Sequence, residues 1–167
     1  MTTLAPTHSA PAPHPTLRAD VPHSAPHSAS RLTAQVGARR PTLLLIEPDY
    51  LMRRAVALTA RDLGIGEIHE TNGYEAAARL LDRTRFDGLL VDLGEPGRSE
   101  PALALIERVR LGTTHCASGA PIAVMAENLD AGCVAILREF KVARILVKPA
   151  KVKTLLEALM AIAAPQG

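Results

Sequence analysis

Four apolar runs of strand length, each ending on a polar or conformationally special residue, constrain this chain more than any other feature. They are Thr42–Ile46 followed by Glu47-Pro48-Asp49, Gly88–Asp92 running on to Pro96, Pro121–Met125 followed by Ala126, and Ala143–Val147 followed by Lys148-Pro149. Apolar runs without alternation suit strands covered on both faces, the condition of a parallel sheet. In such a sheet the strand ends gather at one edge, where open α/β folds bind and react. The chain order therefore places an acidic pair, a lone aspartate and a lysine in one pocket.

Helical periodicity fills the gaps between these runs. Met52, Ala55, Val56, Thr59 and Leu63 recur at helical spacing and stop at Gly64, a natural C-terminal residue for a helix. Gly66–Glu70 reads as a short second strand. Asn72-Gly73-Tyr74-Glu75 reads as a capping box opening a helix through Leu80 and Leu81. Further helices are expected at Pro101–Leu111, Asn128–Phe140 and Val152–Ile162. Five strands alternating with five helices predict an α/β protein, a doubly wound parallel sheet with right-handed crossovers.

Composition agrees where it bears on this. A hydrophobic content of 47% supports a core, and with aromatics at 2% that core must be built from Leu, Val, Ile and Ala. Residues 1–40 differ in character. They carry His8, His14, His23 and His27, six prolines and a tandem Pro-His-Ser-Ala at 22–29. A segment so poor in large apolar groups cannot offset its ordering entropy, so the expected organisation is a disordered tail, 1–40, before an ordered domain, 41–167. The histidines have no regular ligand spacing, and a solvated linker, or a start codon misplaced upstream, accounts for them. The tail holds four Arg and one Asp, +3, which leaves −1 of the total +2 for the remainder. A domain near neutrality with few aromatics gives no footprint for nucleic acid. No apolar run approaches the ~20 residues of a membrane span, and the N-terminus lacks the basic start and apolar block of a secretory signal. Cys116 and Cys133 lack metal-ligand spacing, so reduced thiols in a cytoplasmic protein are expected.

Together Glu47-Pro48-Asp49, Phe86–Asp92 with Pro96, the run into Ala126, and Lys148-Pro149 resemble the receiver domain of two-component response regulators, the CheY-like fold. The resemblance covers about residues 41–163 and implies a flavodoxin-like sheet of strand order 2-1-3-4-5. It places Asp92 at the phosphoacceptor position, at the end of the third strand and four residues before Pro96. It places Lys148 where an ammonium meets a phosphoryl oxygen, or the Asp92 carboxylate when no phosphate is bound.

The same resemblance exposes departures. The family carries two adjacent acids after the first strand; here Glu47 is followed by Pro48, which offers no side-chain oxygen. Of a Mg²⁺ site, Glu47, Asp92 and the Gly94 carbonyl remain, so metal binding is expected to be weak or absent. Asp49 lies one residue late. Ala126 replaces the switch Thr or Ser and donates nothing to a phosphoryl group. Glu127 follows it, and its carboxylate would repel one. Ile145 stands at the aromatic switch position. These losses point to an impaired phosphorylation switch.

The family's usual partner surface, formed by the last two helices and the fifth strand, carries Arg138, Lys141, Arg144, Lys151 and Lys153 against Glu139 and Glu157. It suits an acidic partner helix. The resemblance implies a stand-alone receiver in a phosphorelay, not an enzyme, whose partners are a histidine kinase or phosphotransfer protein and a downstream target. Two mechanisms are compatible: slow phosphorylation of Asp92, or a phosphorylation-independent pseudo-receiver, which the three losses favour. An Asp-nucleophile phosphohydrolase would need a second acid where Gly94 stands. A flavodoxin-like cofactor binder would need a Gly/Ser/Thr phosphate loop where Glu47-Pro48-Asp49-Tyr50 stands.

Overall fold

The computed structural model describes residue 2 and residues 39–164. The expectations for the tail, including its four histidines, lie outside the described residues.

Five strands and five helices alternate along the chain. The strands are β1 (Thr42–Ile46), β2 (Glu67–Thr71), β3 (Gly88–Asp92), β4 (Ile122–Ala126) and β5 (Arg144–Val147). The helices are α1 (Tyr50–Asp62), α2 (Tyr74–Leu81), α3 (Glu100–Arg110), α4 (Ala131–Glu139) and α5 (Val152–Ala163). The strands form one parallel sheet in the order β2-β1-β3-β4-β5, the order that the receiver resemblance implies. No helix among the described residues is long and apolar enough to cross a membrane.

The continuous apolar runs serve two cores at once, because successive strand residues point to opposite faces. Leu44, Ile46, Leu89, Val91, Ile122 and Val124 pack on one face with α2, α3 and α4. Leu43, Leu45, Leu90, Ala123 and Met125 pack on the other with α1 and α5. All of these are at most 1% exposed, and each large side chain so buried contributes about 1.5–3 kcal/mol. Gly88 opens β3 under α5, where a Cβ would lie 2.9 Å from the Ile162 carbonyl oxygen; only glycine allows that approach. At the same end of the sheet Asp87 accepts from Thr42 N at 2.7 Å and pairs with Arg39 at 2.6 Å. That aspartate secures the edge opposite the candidate site. Both cysteines are free thiols, and the buried Cys116 Sγ donates to the Phe86 carbonyl at 3.1 Å.

Three helix starts differ from the sequence reading: α3 by one residue, at Glu100 rather than Pro101, and α2 and α4 through their caps. The expected capping box at Asn72 does not form: α2 begins at Tyr74, its N-cap is Gly73 in an extended conformation, and no side chain caps it. With the start one residue later, Asn72 falls outside the capping position and is exposed, and Glu75 lies beside Arg79 at 3.9 Å. Helix α4 starts at Ala131 rather than Asn128, because the Asp130 carboxylate accepts from Cys133 N at 2.7 Å and fixes the cap there. Strand β5 is shorter than expected. As an edge strand it leaves Ile145 and Val147 38% and 67% exposed.

Candidate functional site at the strand ends

Parallel pairing in register brings the polar ends of β1, β3, β4 and β5 to one edge. Ile46 pairs with Val91, Asp92 with Met125, and Ala126 with Val147. The backbone continues the sheet past the strand ends: Glu47 N donates to Thr71 O at 3.1 Å and Lys148 N to Ala126 O at 2.8 Å. Glu47 and Asp92 thus stand level along the strand direction, with Ala126 one residue and Lys148 two residues further on.

Three charges meet there. Lys148 Nζ lies 2.8 Å from Asp92 Oδ1 and 3.9 Å from Glu47 Oε2. The side chains of Glu47 and Asp92 are only 4% and 3% exposed, so the ammonium is their shared counter-charge. Asp92 Oδ1 also accepts from Gly94 N at 3.3 Å, and Gly94 holds a left-handed φ of 78° in the turn that follows. The Lys148-Pro149 peptide is cis.

Burial raises the Glu47 pKa above its ordinary value, opposed by the Asp49 amide and then by Lys148. A folded-state pKa above the unfolded one gives stability that is fully present below about pH 4.5 and lost as pH rises through the raised value. Glu47→Gln keeps the amide contact without the desolvated charge. It is expected to gain on the order of 1 kcal/mol near neutrality and nothing below about pH 4.5. Urea unfolding across that range tests this; a pH-independent difference would remove burial of the charge as its cause.

The β1–α1 turn explains why Asp49 does not replace the lost second acid. Its carboxylate caps α1, accepting from Met52 N at 2.7 Å, while its own N–H donates to Glu47 Oε1 at 2.9 Å. Pro48 is exposed. Arg53, unremarked in the sequence, holds this turn by donating Nη1 to the carbonyls of Glu47 (2.7 Å) and Pro48 (3.1 Å). A second residue missed by sequence reasoning is Tyr74, whose hydroxyl donates to the Asp92 carbonyl at 2.9 Å. Burial, then the charges of Asp92 and Glu47, push that phenol up to about 12. Its place at the start of the helix after β2 was the only signal available.

The donor set fits Mg²⁺ poorly. Two carboxylates already face an ammonium, the third acid in reach is a helix cap, and Pro48 supplies no side-chain oxygen. Among the described residues no three His, Cys, Asp or Glu side chains converge as a metal cluster. Hard octahedral ligation needs more oxygen than this.

Beyond Asp92, a cavity of about 130 Å³ opens between the β3–α3 and β4–α4 loops. Ala126 and Cys133 line it, so the missing hydroxyl leaves space rather than a filled core. Glu127 is exposed. Arg138 on α4, Lys141 in the α4–β5 turn, Arg144 on β5, Lys151 at the N-cap of α5 and Lys153 on α5 are all exposed. Of the two acids beside them, Glu157 lies 3.8 Å from Lys153.

A five-stranded parallel sheet in this order, with an aspartate and a lysine meeting at its C-terminal edge, defines the CheY-like receiver fold. No family model matches the chain, and no curated protein sequence matches it. Solved structures do. The chemotaxis response regulator CheY4 of Vibrio cholerae superposes with a TM-score of 0.61 at 20% identity, over 74% of this chain and 98% of that one. A response regulator from Thermotoga maritima gives 0.59 at 21% identity, over 74% and 98%. A signal receiver domain of a two-component histidine kinase from Clostridium thermocellum gives 0.61 at 16%, over 74% and 97%.

Proposed function

We propose that the chain is a response-regulator receiver that acts by binding protein partners, with Asp92 at the phosphoacceptor position and the ordinary phosphorylation switch impaired. The observation that carries this reading is the 2.8 Å contact of Lys148 Nζ with the buried Asp92 carboxylate. That contact is the resting arrangement the resemblance implies for a receiver without phosphate, so it supports the receiver reading, and the impairment rests on Pro48 and Ala126. Pro48 and Ala126 supply neither the acid nor the hydroxyl with which a receiver would hold and sense a phosphoryl group. The favoured mechanism is a pseudo-receiver: Lys148 and Asp92 stay paired, and the partner face stands formed without phosphorylation. Protein partners of the exposed Arg138, Lys141, Arg144, Lys151 and Lys153 would carry acidic helices. A histidine kinase or phosphotransfer protein is the expected upstream partner if Asp92 is used.

Hydrolysis by an Asp nucleophile is disfavoured because Gly94 occupies the acid/base position with a left-handed φ of 78°, which suits glycine. The N-terminal segment is proposed as a tail separate from the receiver.

The test is incubation of the full chain with acetyl phosphate and Mg²⁺, read by intact mass, with Asp92→Asn as control. No phosphoryl gain on folded protein is the expected result. A gain that the Asp92→Asn control lacks would replace the pseudo-receiver with a slow acceptor in which the missing groups only tune the rate.

A further inference from the structure

The side of the lysine–carboxylate cluster that faces α1 and α5 opens into a cavity of about 320 Å³. Its floor reaches two core side chains, Met125 and Leu155, each 1% exposed. Met52 and Ala150 form apolar walls, and Glu47 and Lys148 supply the polar end. That volume and that mix, an apolar lining with a few convergent polar groups, are those of small-ligand sites.

The polar end has an unfilled acceptor. Glu47 Oε1 takes the Asp49 amide, but Oε2 lies 3.9 Å from Lys148 Nζ, too long for a hydrogen bond, and among the described residues no other donor reaches it. This side chain is 96% buried by area, 4% exposed, yet keeps one oxygen for a further donor. Charge selects the kind of donor. Glu47 and Asp92 against Lys148 leave the cluster one negative charge in excess, and the Asp49 carboxylate adds a second nearby.

From this geometry we infer a binding site for a small amphiphile with an apolar body and a cationic amine head. The body lies on Met125 and Leu155, and the ammonium donates to Glu47 Oε2. Occupancy would sit against the groups that hold Asp92 without touching Asp92 Oδ1, so a ligand here could report on or bias the cluster. The site stands whether or not Asp92 accepts phosphate.

The test titrates the full chain with phenylpropylammonium and follows backbone amide shifts. Phenylpropanol and phenylpropionate serve as neutral and anionic isosteres. Saturable shifts at Met52 and Ala150 are expected from the ammonium, with the alcohol at least about tenfold weaker, 1.4 kcal/mol, and the anion silent. Glu47→Gln should weaken the ammonium by about tenfold and leave the alcohol unchanged. Ala150→Phe, which places a bulky apolar side chain on the cavity wall, should abolish the shifts of both. Non-saturating shifts, equal binding of ammonium and propionate, or ammonium binding that survives Ala150→Phe in a folded protein would each overturn the site. The readout contains no phosphorylation step, so its failure is separate from failure of the receiver reading.

Discussion

Lys148→Ala is expected to lose about 3 kcal/mol of stability near neutral pH. Removing one partner of a buried ion pair leaves an uncompensated charge, a cost of about 3–5 kcal/mol when burial is complete. Lys148 is 23% exposed, which puts the expectation at the lower end, but two carboxylates rather than one lose their counter-charge. Against a domain stability of about 5–15 kcal/mol the effect is large enough to shift an unfolding midpoint clearly. The pH dependence gives the second signature. Lys148 is one of two influences that hold the Glu47 pKa down against burial, so without it the Glu47 pKa rises further. A raised folded-state pKa means stability present at low pH and lost as pH climbs through it. The deficit of Lys148→Ala should therefore shrink as pH falls towards about 4.5, the ordinary value. Adding Asp92→Asn removes one orphaned charge and should recover at least about 1 kcal/mol. Urea unfolding of the single and double variants measures all three quantities. A Lys148→Ala protein within about 0.5 kcal/mol of wild type would mean the contact is an ordinary surface pair.

If the switch is impaired as proposed, supplying the two polar groups absent at Pro48 and Ala126 should speed phosphorylation of Asp92. Pro48→Asp returns a carboxylate to the exposed end of β1, and Ala126→Thr returns a hydroxyl to the end of β4. Both positions can accept the change. The Pro48 carbonyl keeps its Arg53 contact whatever its side chain. Ala126 is 3% exposed but borders the 130 Å³ cavity, and a β-branched residue suits a strand. A charge-assisted contact contributes about 1.5–3 kcal/mol, so the pair should speed phosphoryl transfer from acetyl phosphate, with Mg²⁺ present, by at least about 100-fold. Each single variant should give only part of that. The measurement is the rate of mass gain at Asp92. A folded double variant no faster than wild type would remove Pro48 and Ala126 as the cause of the proposed impairment.

How far the sequence carried is clearest at particular residues. The uninterrupted runs through Leu43–Ile46, Leu89–Val91 and Ile122–Met125 read as strands buried on both faces, and their alternation between two cores bears that out. From there the topology rule for parallel sheets was enough to predict one edge for Glu47, Asp92, Ala126 and Lys148, because chain order and right-handed crossovers leave few other arrangements. Substitutions were equally legible: Pro48 and Ala126 lack side-chain oxygens in any fold.

What the sequence did not decide was direction and contact. The Asn72 capping box failed and Asp49 became a cap, and both outcomes turn on the backbone angles of a single residue at a helix start. Composition weighs on such angles only slightly, and the neighbouring packing sets them. Arg53 on the Glu47 and Pro48 carbonyls and Tyr74 on the Asp92 carbonyl are contacts made by flexible side chains reaching backbone that every residue possesses, so no residue type announces them. The sequence by itself determined which chemical groups stand at the sheet edge, because strand periodicity and chain order are local and topological. Only the tertiary structure decided that one ammonium serves two buried carboxylates and that Glu47 lines a cavity, because those are ångström-scale relations between elements packed from distant parts of the chain.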